Sequence, residues 1–303
     1  MHNDGLICAY SKQARPKLAM PFDLFDKVLD DYAAIGGGFL SLTPVVGDFL
    51  LDSDPLRRVR VAAAHAAVTG IGITTNAAMA HRFTDAELVE LLSHVSIVSI
   101  SVYGADAEEY AMMTRKKTFH RMMAGIERIV RFSRCRVLMK FRLLRDVGAF
   151  DPGAWLEDNV FARLGGEAEA CRGRVEVKNC INRFANWGIF TPETDPLPMA
   201  AEWSNPPRDE KQCFMPLLAV AVLSNGNVSI CPCDNYDDAE ELRLGNVRDM
   251  SLADMLGSDT FRRFWHWDEY GVPEFCKTCT FKLRMGRITQ SLLDSPEEIV
   301  GAG

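Results

Sequence analysis

Two periodicities alternate along the first 200 residues. In PFDLFDKVLDDYAAI (21–35), Phe22, Phe25, Leu29 and Tyr32 recur at helical spacing and define one apolar face. A triple glycine at 36–38 ends that helix, and FLSLTPVV (39–46) follows as a short apolar strand. PLRRVRVAAAHAAV (55–68) reads as a helix entered at a proline, and GIGITTN (70–76) as the next strand. Thr84 and Glu87 form a capping-box pair opening TDAELVELLS, after which SIVSISVYG (96–104) is again a buried strand. Asp106 and Glu109 repeat a similar start signal before a helical stretch ending at Phe132. RVLMKFRLL (136–144) and RVEVKNCI (174–181) are the last strand-like runs. Strand then helix, repeated, predicts an α/β fold with a parallel sheet. Open sheet or barrel, such a sheet gathers ligands at the C-terminal ends of its strands. The site is therefore expected in TPVVGD, TTNA, SVYG and NRFANWG.

The pattern changes after residue 190. TPETDPLPMAAEWSNPPRDEK (191–211) is rich in proline and charge and reads as a linker. Beyond it LLAVAVLSNGNVSIC (217–231) predicts a hairpin turning at Asn225-Gly226. SLADMLGSDTFRRFWHW (251–267) predicts a pair of short amphipathic helices, and 293–303, ending in SPEEIVGAG, a frayed tail.

Composition narrows the possibilities. Hydrophobic residues are 48% and charged residues 25% of 303, an ordinary globular balance. No apolar run approaches the roughly 18 residues of a membrane span, and the start has no signal-peptide core. A cytoplasmic protein with no membrane partner is expected. The net charge of −7, with basic residues scattered, argues against nucleic acid as a partner. No Gly-x-Ser-x-Gly elbow and no His-Glu-x-x-His spacing is present. His266, between two tryptophans, reads as helix surface, and Met112-Met113 and Met122-Met123 as core filling.

The cysteines carry the chemistry. Nine are present, and seven lie after residue 170. Disulfides are disfavoured in a reducing compartment, which leaves metal ligation, catalysis or burial. Cys213 and Cys231 bracket the hairpin, and Cys276-Lys277-Thr278-Cys279 is a C-x-x-C knuckle. Together they offer four soft thiolates, a donor set suited to an iron–sulfur cluster or to zinc. Cys233 stands close enough to Cys231 to replace it. Cys135, Cys171 and Cys180 have no partners at ligand spacing and read as structural.

These spacings resemble the SPASM/twitch extension of the radical S-adenosyl-L-methionine (SAM) enzymes. The elements are C-x12-G-x4-C at Cys213, Gly226 and Cys231, then Gly245-Asn246, SLADMLGSDTFRRF and the knuckle. The longer form of that extension has further cysteines, absent from 281–290, so one auxiliary [4Fe-4S] cluster is implied. The first part resembles the family's partial (β/α)6 barrel, here lacking its first strand. The resemblance implies a barrel over 1–200, a SPASM/twitch domain over 201–292 and a tail beyond. It places Gly47 and Asp48 at the SAM amino group, Thr75 and Asn76 on the next strand's loop, and Ser101 near the ribose and methionine. NRFANWG matches the motif near the adenine.

Of the family's C-x3-C-x2-C motif only Cys8 is present, the other places falling on Met1 and Gly5. Either a fuller N-terminus carries the motif, which the retained SAM-side loops favour, or the chain keeps the auxiliary cluster alone. In the first case the resemblance implies one-electron cleavage of SAM to a 5′-deoxyadenosyl radical, which takes hydrogen from a peptide or small-molecule substrate. An electron donor such as flavodoxin or ferredoxin is then required. A non-catalytic iron–sulfur protein and a four-cysteine zinc module are the rival readings.

Overall fold

The computed structural model describes residues 5–205 and 213–280; Met1 and the tail expected at 293–303 lie outside the described residues. Five strands form one all-parallel sheet in the order β1 (Gly38–Ser41), β2 (Val68–Thr75), β3 (Ile97–Tyr103), β4 (Arg136–Arg142), β5 (Val175–Ile181). Helix α1 (Phe22–Ala34) precedes the sheet; α2 (Pro55–Ala64), α3 (Asp85–Ser93), α4 (Ala107–Thr114) and α5 (Phe119–Phe132) connect its strands. This is the partial (β/α)6 barrel without its first strand. Among the described residues no strand precedes β1, and Ala9–Lys12 form a single 3-10 turn.

Alternation along the strands sorts the two faces. Ile71, Ile73, Val98, Ile100, Val102, Val137, Met139 and Phe141 lie in the main apolar core under the helices. The inner face carries Ser99, Ser101 and Tyr103 on β3 and Leu138, Lys140 and Arg142 on β4. Two glycines on β2 make room there: a Cβ on Gly70 or Gly72 would meet the Phe39 ring at 3.0 and 2.9 Å.

The helix signals hold, with one revision. Thr84 and Glu87 close a reciprocal capping box on α3. Asp106 caps α4, but Glu109 does not complete a second box. Its buried carboxylate instead accepts the N–H groups of Ala105, Leu144 and Arg145 and the Arg145 guanidinium, tying the β3 and β4 loops together. Arg115, at φ +55°, breaks the stretch expected to run to Phe132 into α4 and α5.

The first part of the expected linker is packed rather than loose. Strand β6 (Arg183–Phe184) pairs in parallel with β7 (Glu202–Trp203), and Trp203 stacks on Phe190 at 4.8 Å between centroids. Residues 206–211 lie outside the described residues.

The C-terminal unit is a three-stranded antiparallel sheet of β8 (Ala221–Val222), β9 (Asn227–Ser229) and β10 (Arg243–Asn246). The hairpin turns where predicted, with Gly226 at φ +91°. Helix α1 joins the two units by using both faces. Phe25 and Leu29 enter the barrel core, while Leu24 and Val28 enter a second core with Val228, Ile230, Leu252 and Met255.

Candidate functional site

The strand ends converge on a mouth lined by a third apolar cluster that includes Ile7, Val46, Met113, Leu144, Phe184 and Tyr236, with Cys8, Tyr103 and Trp187 packed against it. Residues from β1, β3, β4 and β5 loops thus meet the N-terminal segment at the C-terminal side of the sheet. That segment is fixed by Leu6 N–H donating to the Met113 carbonyl at 2.8 Å and by Trp187 Nε1 donating to the Ile7 carbonyl at 2.9 Å.

Asp48 sits buried beneath this mouth. Its carboxylate accepts from Leu50 N at 2.9 Å, Asn76 N at 2.8 Å and Thr75 Oγ1 at 2.9 Å. Burial pushes its pKa up, and those hydrogen bonds pull the other way. Three donors on one carboxylate lock the β1 loop to the end of β2. The Asn76 side chain caps its own turn, its Oδ1 accepting from Ala78 N at 2.9 Å. Gly47, at φ +138°, makes the bend that brings Asp48 inward. Gly47, Asp48, Thr75 and Asn76 are therefore brought together, with the side chains of the last three engaged in holding the loops.

Ser101 lies on the inner face of β3, and its hydroxyl accepts from Arg142 Nη1 at 3.2 Å. Arg142 also stands over the Tyr103 ring, 5.7 Å from its centroid. Burial pushes the Tyr103 phenol above its ordinary range; Arg142 opposes the rise, and Cys8 and Asp48 add to it. Cys8, Asp48, Ser101, Tyr103 and Arg142 thus form one polar patch inside the mouth. Tyr103 and Arg142 were not singled out in the sequence. Their signal is polar residues at a period of two within otherwise apolar strands, Ser99-Ser101-Tyr103 and Lys140-Arg142. At Gly5, the place of a missing cysteine, an added Cβ would approach Met113 O at 3.0 Å, a tight contact.

The four predicted ligands lie in the C-terminal unit, where Cys276 is buried in the core and Cys213 and Cys231 pack against it. The Cys276 thiol is pushed up first by burial, then by the charges of Cys231, Cys279 and Cys213. Those three complete the predicted set. Cys231 is pushed up to about 11 by burial, by Asp234 and by Cys213. Cys233 is buried as well, and its thiol is pushed well up by burial and then by the charges of Cys231, Asp234, Cys213 and Cys279. Cys279 Sγ donates to the buried Asp234 carboxyl at 3.7 Å. Cys171 and Cys180 pack in or against the barrel core, and Cys135 bonds Ser133 there.

Among the described residues no three of His, Cys, Asp and Glu stand together closely enough to hold one ion. Four soft thiolates are a donor set for an iron–sulfur cluster or for zinc. Among the described residues, no helix is long and apolar enough to cross a membrane.

Comparison with known proteins bears on the C-terminal unit and on the fold. Residues 213–280 match the SPASM family, an iron–sulfur cluster-binding domain. The fold is similar to that of BtrN solved with AdoMet and 2-DOIA, at 16% identity and TM-score 0.54, covering 91% of this chain and 86% of that one. It is similar to anSMEcpe solved with AdoMet and the Cp18Cys peptide, at 14% identity and TM-score 0.53, covering 92% and 83%. It is also similar to SuiB of Streptococcus suis bound to its precursor peptide SuiA, at 12% identity and TM-score 0.54, covering 92% and 67%. No curated protein matches the sequence.

Proposed function

We propose, from the premise that the chain carries a C-terminal SPASM domain on the fold of the radical SAM enzymes, that it is an iron–sulfur protein of that chemistry acting on a peptide. The observation that carries the reading is the coincidence of the SPASM match over residues 213–280 with the four cysteines within it. Cys213, Cys231, Cys276 and Cys279 would hold an auxiliary [4Fe-4S] cluster. The raised thiols of Cys231 and Cys276 mean that loading must expel protons.

S-adenosyl-L-methionine is assigned to the mouth, where Gly47, Asp48, Thr75, Asn76 and Ser101 meet Cys8. Asp48 holds the loop that would face the methionine end; Ser101 and Arg142 present a hydroxyl and a cation beside it. Bound there with a cluster, SAM supplies hydrogen-atom abstraction, and the protein's share is to orient it and exclude water. Cys8 is the family-type ligand that this chain offers at that position. A peptide substrate is favoured because anSMEcpe and SuiB are solved with peptides; BtrN, solved with 2-DOIA, supports a small molecule as the second reading. A one-electron donor of the flavodoxin or ferredoxin kind would serve such a reaction.

The test is anaerobic reconstitution with iron and sulfide, followed by iron analysis, visible spectroscopy and assay of 5′-deoxyadenosine in the presence of reductant and SAM. Iron uptake with accumulating 5′-deoxyadenosine is expected. Iron without product reduces the reading to the auxiliary cluster alone. A colourless protein holding zinc replaces it with the zinc module.

A further inference from the structure

The loop that follows Cys231 joins the two candidate centres. Its root is fastened to the hairpin by side chains. Ser229 Oγ accepts from Cys231 N at 3.1 Å and from Asn235 Nδ2 at 2.8 Å, and donates to the Cys231 carbonyl at 2.9 Å. Asn235 Oδ1 accepts from Ala239 N at 2.7 Å. At the far end Asp238, in a left-handed conformation at φ +62°, accepts from Asn225, Asn227 and Arg243. Both ends of the loop are thus pinned to the unit that carries the cysteines, and only its tip projects.

That tip reaches the barrel mouth. Asp237 Oδ1 accepts from the backbone N–H groups of Ala14 and Arg15, both at 2.8 Å. The Tyr236 carbonyl accepts from Arg15 Nε at 2.9 Å. The Tyr236 ring meets Trp187 edge-on at 6.2 Å, and Trp187 in turn holds the Ile7 carbonyl. The segment bearing Cys8 is therefore held after it, directly at Ala14 and Arg15, and before it, through Trp187 at Ile7, by a loop that begins at a predicted auxiliary ligand.

We propose that the loop at 231–238 is a bracket through which the auxiliary cysteine centre holds the segment at 5–15 in place, with Asp237 and Tyr236 as positioning residues. The inference rests on the reading of the four cysteines as a cluster site. A thiolate–iron bond at Cys231 fixes the root of the bracket, and the pinned ends carry that fixity to the tip. Loading one centre thereby orders the chain around the other, without any contact between the cluster and the mouth.

Lys12 and Lys17 flank the gripped residues and are both exposed, so trypsin reports on the grip. The full chain is compared empty and anaerobically loaded, with iron content measured on the same samples and the peptides after Lys12 and Lys17 identified by mass spectrometry. Loading is expected to slow cleavage at both bonds by about tenfold, because cleavage follows the population of the opened segment. Asp237→Ala is expected to bind iron as before and to be cut at the rate of the empty protein. Asp237→Asn, which keeps the accepting oxygen, is expected to retain the protection. A chain that loads iron and is cut as fast as when empty overturns the proposal alone, and that comparison needs no variant. Protection undiminished in Asp237→Ala also overturns it. A chain that takes up no iron overturns the four-cysteine reading and the proposal with it.

Discussion

The barrel and the cysteine unit hold their shapes by different means. The barrel rests on strands of up to eight residues and on fully buried side chains such as Leu29, Ile100, Tyr110 and Phe141. The C-terminal unit has strands two to four residues long and helices of four or five. Its core borrows Leu24 and Val28 from the barrel's first helix and includes Cys276. A unit this small rarely holds together on apolar burial alone and takes its remaining stability from coordinate bonds or dense polar networks. The network is in place here, formed by Asn225, Asn227, Asp238, Arg243 and Asn246 around the hairpin turn, and the four thiols would supply the coordinate bonds. The difference teaches that ligand removal should be a folding event in one unit and a binding event in the other.

The largest effect should therefore come from the knuckle. Replacing Cys276 and Cys279 together by alanine is expected to abolish auxiliary iron and to unfold the C-terminal unit while leaving the five-stranded sheet intact. Hydrogen exchange resolves the two: amides of Asn227–Ser229 and Arg243–Asn246 lose protection, and those of Ile97–Tyr103 keep it. Equal loss in both units would erase the distinction. Cys135→Ser, in the barrel, should change no iron content.

On the barrel side the next effect is at Asp48. Asp48→Ala leaves the N–H groups of Leu50 and Asn76 and the Thr75 hydroxyl without their acceptor. A loss of about 3 kcal/mol in urea unfolding is expected, since buried donors stripped of a partner keep their desolvation cost. Auxiliary iron should be unchanged. Gly125→Ala follows. Its Cβ would stand 2.0 Å from the Ala77 carbonyl oxygen, so α5 must withdraw from the loop that carries Thr75 and Asn76. Overpacking of that kind costs about 2 kcal/mol, again read from the urea midpoint. A neutral outcome would mean that the loop yields freely.

These contacts also mark where reading the sequence stops. The five strands fall within a few residues of the apolar runs, because a parallel strand buried on its helix side is a local pattern. The turn at Asn225-Gly226 and the Thr84 box are local as well. What the sequence left out is long-range. Glu109 looked like the end of a capping box, yet it spends its carboxylate on Leu144 and Arg145, 35 and 36 positions away. Nothing near Asp237 in the sequence singles it out, yet it binds Ala14 and Arg15, more than 200 positions away. The stretch 191–205 looked like linker because its proline and charge hide Phe190 and Trp203 stacking on each other. The C-terminal unit was legible because the cysteine spacing is written in the chain itself, over the residues 213–280 that match the SPASM family. The polar patch at the mouth was legible only in part, since its members come from separate strands.

The barrel's inner face gives the smallest of these effects and tests whether it is as dependent on burial as the outer face. Lys140 lies on that face, opposite Ser101 and Asn179 in the strand register. Its pKa is lowered to about 8, chiefly by desolvation and then by Arg142 and Lys178. The folded chain thus releases this proton earlier than the unfolded chain, in which lysine holds it to the ordinary value of 10.5. Between those values the unfolded state binds more protons, so stability rises with pH; below about 8 the penalty is present in full. From pH 7 to pH 9 the wild-type chain should gain about 1 kcal/mol relative to Lys140→Met, whose corresponding term is flat. Parallel urea titrations of the two chains at those pH values measure the difference. A gap that stays constant would mean that Lys140 keeps an ordinary pKa, and the inner face would then be wetter and less costly to charge than the face under the helices.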